Sequence, residues 1–176
     1  MGLFLLETAT GATDRSEVDA LIGRLIPAAT AAGAQIVESQ VTGDRKRLFT
    51  VVEHDDTTRP DDLRRAVADA GVEVEDVAAV RLVGADLDEV KATADRAPEY
   101  LVEWDLPEDL TMDAYLTRKK EKAPLYDQVP EVAFRRTYVR EDLDKCLCFY
   151  DAPCADDVYR AREAVSAPVD RFHELT

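Results

Sequence analysis

The chain states one pattern twice. Phe4-Leu5-Leu6-Glu7 near the start returns in character as Tyr100-Leu101-Val102-Glu103 past the middle. Each copy runs on into a turn rich in Gly or Pro, a helix-like segment, two strand-like segments, a second helix-like segment and a short last strand. The order β-α-β-β-α-β in each half is the ferredoxin-like pattern. Two such units predict an α+β protein whose halves form a pseudo-symmetric barrel of the dimeric α+β type around a shared interior. The expected division is a first unit over residues 1–85, a connecting helix over 86–98 and a second unit over 99–176. Within 176 residues of 46% apolar content, either half alone would be marginal, because small domains bury a smaller share of their surface.

Local signals place the elements. Leu3 to Thr8 is a continuous apolar run, suited to a strand buried on both faces. Asp14 followed by Glu17 resembles a capping box. Val18, Leu21, Ile22 and Leu25 then form a helical stripe, which Pro27 should kink or end. Ala34–Val41 and Leu48–Glu53 read as strands across the turn Gly43-Asp44-Arg45. A helix opening at Pro60 and a strand over 77–83 close the first unit. In the second, Tyr100–Trp104, Val132–Val139, Cys146–Tyr150 and Arg171–Leu175 read as strands. Helices are expected after Thr111 and over 156–165, with a loop between Pro124 and Pro130.

The formal net charge is −15, from 37 acidic and 22 basic residues. Such a surface repels phosphate backbones and anionic headgroups, so neither nucleic acid nor membrane is expected as a partner. No run approaches the roughly 18 apolar residues of a spanning helix. Leu3–Leu6 is too short for a signal sequence and has no Lys or Arg before it. A cytoplasmic location is expected. Cys146, Cys148 and Cys154 are odd in number, which suits reduced thiols. Their Cys-x-Cys spacing is not that of a closed zinc site, and no metal site is expected from it. The 7 glycines are scattered without a phosphate-binding loop, so no nucleotide cofactor is expected. His54 and His173 fall in no catalytic arrangement.

The second half carries a family likeness. Tyr100-Leu101-Val102-Glu103, Tyr138-Val139-Arg140-Glu141-Asp142, Cys146 to Pro153 and Pro168-Val169-Asp170-Arg171 together resemble the DUF4242 family over roughly residues 100–175. These are small actinobacterial ferredoxin-like proteins with a nickel-binding member. Residues 3–83 then look like a diverged second copy. The resemblance implies nickel as an alternative cofactor. Family members often carry histidines on the second helix, whereas here it reads Tyr159-Arg160-Ala161-Arg162-Glu163-Ala164-Val165. Nickel favours imidazole or thiolate ligands, and this helix offers neither.

Period-two alternation sorts the strands. Leu147 and Phe149 are expected under the helices, with Cys146, Cys148 and Tyr150 facing the interior. On the neighbouring strand Phe134, Arg136 and Tyr138 are assigned inward, because Val139 belongs under helices. Arg136, Tyr138 and Tyr150 would then converge as catalytic groups. Arg136 could bind a carboxylate or enolate, Tyr138 and Tyr150 could donate protons, and Glu103 could act as base if apolar neighbours raise its pKa. Alternatively, Glu103 and Arg136 form a structural cross-strand pair. Trp104, Phe134, Cys148 and Glu7 are the candidate ligand-contacting residues. Glu7 repeats Glu103 by position, and a capping or turn role suits it at least as well. The expected function is small-molecule binding, extending to cofactor-independent isomerase or cyclase chemistry on a carbonyl-containing metabolite. The alternatives are nickel handling and a non-catalytic interaction module. A monomer of fused repeats or a homodimer is expected.

Overall fold

The structure, a computed structural model, describes residues 1–176. It divides into two compact units. One comprises Met1–Val80, Leu87–Ala97 and Thr176, and the other Arg81–Asp86 and Pro98–Leu175. Residues 87–97, set apart as a connection in the sequence reading, group with the first unit.

The first unit contains β1 (Gly2–Ala9), α1 (Arg15–Ala31), β2 (Ala34–Val41), β3 (Arg47–His54), α2 (Pro60–Asp69), β4 (Asp76–Val83) and α3 (Leu87–Ala92). Its strands lie in the order β2-β3-β1-β4, antiparallel throughout. The last residues of β4 group with the second unit. Phe4, Leu6, Leu48 and Val52 meet Val18, Leu25, Leu63 and Val67 of α1 and α2 in one buried cluster. Asp14 caps α1 by accepting from the Glu17 N–H at 2.9 Å, while the Glu17 carboxylate reaches back to the Thr13 N–H. The box therefore closes one residue earlier than the usual reciprocal form. Pro27 does not end α1, which continues to Ala31.

The second unit repeats the order with β5 (Tyr100–Asp105), α4 (Met112–Lys122), β6 (Ala133–Arg140), β7 (Lys145–Asp151), α5 (Ala155–Ala164) and β8 (Arg171–Glu174). The expected loop between Pro124 and Pro130 contains a 3-10 helix, Ala123–Gln128. The strand order is β6-β7-β5-β8. Thr111 caps α4 by accepting from the Ala114 N–H at 3.2 Å. The fold class is thus α+β, two ferredoxin-like units in one chain, as the repeated element order predicts. No helix is long and apolar enough to cross a membrane.

One irregularity is itself duplicated. The register of β2 on β3 shifts between Ile36 and Glu38, and that of β6 on β7 shifts between Phe134 and Arg136. Val37 and Arg135 are the extra residues. A bulge adds one residue to one strand, so every side chain beyond it changes face relative to strict alternation.

Gly23 lies inside α1, and a Cβ built there would meet nothing within 4 Å. Glycine in a helix interior costs up to about 1 kcal/mol relative to alanine. Gly23→Ala should therefore stabilise the protein by about that amount, seen as a higher urea midpoint at unchanged slope.

Candidate functional site: a cationic cluster behind an aromatic cavity

The second unit holds a cavity of about 210 Å³ between its helices and its sheet. Trp104 of β5, Phe134 of β6, Leu116 of α4 and Tyr126 of the 3-10 helix form apolar walls. Tyr126 and Phe134 stack with centroids 5.4 Å apart. Gly84 makes room for this: it has φ +84°, and a Cβ there would stand 2.6 Å from the Phe134 ring. Three aromatic rings around so small a space favour a flat or ring-bearing guest.

Five basic residues line the same cavity, and two of them, Lys119 of α4 and Arg162 of α5, also reach Cys148. Arg162 is 2% exposed. Its Nη1 donates to the Tyr150 hydroxyl at 3.1 Å and approaches Cys148 Sγ at 3.4 Å, and its Nη2 donates to the Pro168 carbonyl at 2.6 Å. Its Nε is buried without an acceptor. Lys119 Nζ donates to Thr137 Oγ1 at 2.9 Å, lies 3.8 Å from Cys148 Sγ, and sits 4.6 Å from the Phe134 ring centroid. The Tyr126 and Tyr150 hydroxyls are 2.8 Å apart. A polar chain therefore runs from Arg162 through Tyr150 to Tyr126 at the cavity wall.

Cys148 is the focus of this cluster. Cys146 Sγ lies 3.9 Å from its sulfur and the Thr137 hydroxyl 3.2 Å away. The Cys146 thiol as donor holds the Cys148 pKa well below the usual thiol range. Burial opposes this, and Lys119, Arg162 and Thr137 reinforce it. Cys146 moves the opposite way, raised by its bond to Cys148 and by burial. The two shifts are one effect: the proton is held more firmly on Cys146 than on Cys148, the sulfur nearer the cations. Burial pushes the Tyr150 and Tyr126 hydroxyls up, so both remain protonated donors.

The expected site residues are not all brought together. Cys146, Cys148 and Tyr150 face the helices, in one cluster with Tyr115, Val158 and Ala161, not the other face of the sheet. Trp104 lies in the same cluster, with Phe134 packed against it. Leu147 and Phe149, expected under the helices, take the opposite face. The bulge explains Phe134: it pairs with Tyr150, whereas Arg136 pairs with Phe149 and Tyr138 with Leu147. Arg136 and Tyr138 thus share the face of Glu103, opposite Tyr150 and Cys148. The convergence of Arg136, Tyr138 and Tyr150 does not occur.

Glu103 is 1% exposed. Its carboxylate accepts from Lys145 Nζ at 2.7 Å and His173 Nε2 at 2.7 Å, and pairs with Arg171 Nε at 3.1 Å. Burial raises its pKa, but the His173 and Lys145 hydrogen bonds and the Lys145 and Arg171 charges outweigh burial and bring it to about 2. A carboxylate so far below neutrality is a poor base, so the expected upward shift is corrected to a downward one. Glu7 occupies the equivalent place. It faces Phe49 as Glu103 faces Leu147, and Arg47 meets it at 3.1 Å as Lys145 meets Glu103. The repeated acid is a duplicated cross-strand ion pair.

Sequence reasoning places none of Lys119, Tyr126 and Arg162 in the site, although Tyr126 stands out with Trp104 and Tyr138 as a large aromatic of the second half. Comparing the copies would have exposed two of them. Lys119 stands as far after the cap Thr111 as Ile22 stands after Asp14, and Arg162 as far after Cys154 as Val67 after Arg59. Cys148 and Trp104 correspond by register to Thr50 and Thr8. Tyr126 has no such signal, because the 3-10 helix is present only in the second unit.

The residues fit a metal poorly. No group of three or more His, Cys, Asp or Glu side chains converges anywhere in the chain. The paired thiols lie against Lys119 and Arg162, whose charge opposes a metal cation. His173 is committed to Glu103.

Residues 100–175 match the family model described as nickel responsive protein SCO4226-like. This is the stretch that carries the sequence likeness. No curated protein sequence matches the chain. Among solved structures, SCO4226 from Streptomyces coelicolor A3(2) is 17% identical, covering 43% of this chain and 93% of its own at TM-score 0.38. TA0507, provisionally assigned as a chlorite dismutase, is 11% identical and covers 100% of this chain and 95% of its own at TM-score 0.52. The siroheme decarboxylase NirDL is 13% identical, covering 98% and 70% at TM-score 0.48. At these identities TA0507 supports the fold alone.

The Glu103 network sets a pH dependence. Its pKa is about 2 against an ordinary 4.5, so the unfolded chain takes up the proton first as pH falls. The stabilisation is complete above pH 4.5 and is lost towards pH 2, amounting to about 3 kcal/mol at ~1.4 kcal/mol per pKa unit. Chemical denaturation between pH 6 and 2.5 should show this slope, and Glu103→Gln should flatten it while lowering stability at pH 6.

Proposed function

We propose that the protein binds a small ring-bearing molecule in the cavity of the second unit. The observation carrying this reading is a partly open cavity walled by Trp104, Tyr126 and Phe134, with Tyr126, Lys119 and Arg162 among its lining. The aromatic walls would hold the apolar body, and the Tyr126 hydroxyl would donate to a carbonyl oxygen. The surplus of negative charge on the chain supports a small molecule over nucleic acid as partner.

The cavity is lined by no carboxylate. Glu103 lies on the other face of the sheet, ionised and triply paired. Binding is therefore better supported than proton abstraction by the residues first considered. We further propose that the first unit is a diverged copy of the second, DUF4242-like one, and that the cavity's polar groups belong to the second copy alone.

Nickel is the second reading, and the family description is what favours it. Against it stand the two cations beside the Cys146–Cys148 pair and the absence of histidine from α5. Equilibrium dialysis of untagged protein against micromolar nickel should leave no stoichiometric metal. One equivalent retained, and lost in Cys148→Ser, would reverse this choice.

Two probes test the cavity: 4-phenyl-2-butanone and its carboxylate isostere 3-phenylpropanoate. Titration calorimetry should show saturable one-to-one binding of at least one. Ala167→Phe, which fills the cavity from its wall, should weaken that binding about tenfold or more at unchanged circular dichroism, a loss of ~1.4 kcal/mol or more. Binding of neither probe, or binding indifferent to Ala167→Phe, contradicts the reading.

A further inference from the structure

Resting on that reading of the cavity, we infer that its natural ligand carries a carboxylate-type anion, held between Lys119 and Arg162 at the inner wall.

The two copies of the fold make the first argument. Where the second unit has Lys119 and Arg162, the first has Ile22 and Val67, both packed in its apolar core. The scaffold therefore folds with aliphatic residues at both places. A buried charge costs several kcal/mol unless paired, and replacing it by a hydrophobic residue is often stabilising. Two cations kept where the fold accepts Ile and Val point to a role outside folding.

The charge balance makes the second. Neither Lys119 nor Arg162 forms an ion pair with any carboxylate of the chain. The one acidic group within reach of both is the Cys148 thiol, which when ionised sets a single negative charge against two positive ones. A monoanionic ligand would complete the balance. At the rim Arg118, Lys120 and Lys122 add positive charge in a chain whose net charge is −15. Such a local reversal steers anions inward.

The hydrogen-bond inventory makes the third. Arg162 spends Nη1 on Tyr150 and Cys148 and Nη2 on Pro168, and its buried Nε has no acceptor. An unsatisfied buried donor costs about 1–3 kcal/mol, and Arg162 lines the cavity. That Nε has no accessible surface, so Arg162 contributes charge behind the wall, while Lys119 Nζ and the Tyr126 hydroxyl are the donors a carboxylate oxygen in the cavity would meet. The ligand class that follows is an aryl or other apolar monocarboxylate, its body among the aromatic walls and its charged end inward.

The isosteric probes separate charge from shape. At pH 7 the wild-type protein should bind 3-phenylpropanoate at least tenfold more tightly than 4-phenyl-2-butanone. Lys119→Met keeps the stem and removes the charge, and should reduce that preference several-fold with little change for the ketone. Arg162→Met should do the same if it folds; Lys119, half-buried on α4, carries the test if it does not. Equal affinity for the two probes, or a preference unchanged in Lys119→Met, overturns the inference while leaving the cavity a binding site. Binding of neither probe overturns both.

Discussion

A single extra residue decides which side chains can meet in the second unit. Arg135 bulges out of β6 between Phe134 and Arg136. Before it, Phe134 points under the helices and lines the cavity. After it, Thr137 takes that same face and bonds Cys148 and Lys119, while Arg136 and Tyr138 turn away. Without the bulge the strand would present Phe134, Arg136 and Tyr138 together, and Thr137 could not reach the thiol. The same shift at Val37 in β2 shows that it belongs to the unit's architecture. There it brings Ser39 to Thr50 at 3.0 Å, the hydroxyl pair that occupies the place of Thr137 and Cys148.

The two faces of the second sheet follow opposite electrostatic rules. On one, the Glu103 carboxylate is surrounded by Lys145, Arg171 and His173, so the acid is over-neutralised and locked. Such an arrangement stabilises a register and resists chemistry. On the other, cations gather without carboxylates around a sulfur and two phenols. There Cys146, with Lys119 and Arg162, draws the Cys148 thiol down, while burial raises the Tyr150 and Tyr126 phenols.

Much of the fold was legible. Duplicated order, apolar runs, caps at Asp14 and Thr111 and turn residues place all eight strands and most helices within a residue or two. The site was less so, for physical reasons. Alternation assigns faces only while the register is unbroken, and nothing in Ala133-Phe134-Arg135-Arg136-Thr137 marks which residue bulges. The Cys146-Leu147-Cys148-Phe149-Tyr150 run is apolar on both faces, so it does not declare which side lies under helices. Glu103 was recognised as special, but the direction of its pKa depends on partners from β7 and β8 that only pairing reveals. Arg162 shares the buried stripe of α5 with Val158 and Ala161, and a lone Arg on an apolar stripe is the local signal of a buried cation.

The first unit builds the same architecture with other residues, and its hollows beside Thr8 and Leu21 are more open to solvent. At the matching positions it places Ile22, Val67, Thr50 and Thr8, and its core closes over aliphatic side chains. Only Thr8 keeps a buried hydroxyl without a partner. The second unit replaces that set with Lys119, Arg162, Cys148 and Trp104, adds a 3-10 helix bearing Tyr126, and opens a cavity beside Gly84. Two of these changes have a structural cost: the buried Arg162 cation and its unsatisfied Nε. Taken together the changes form one anion-attracting wall behind one aromatic chamber. Packing explains Gly84, which makes room for the Phe134 ring; it does not explain the two cations, since the sister unit fills those places with Ile22 and Val67, and the proposed ligand would.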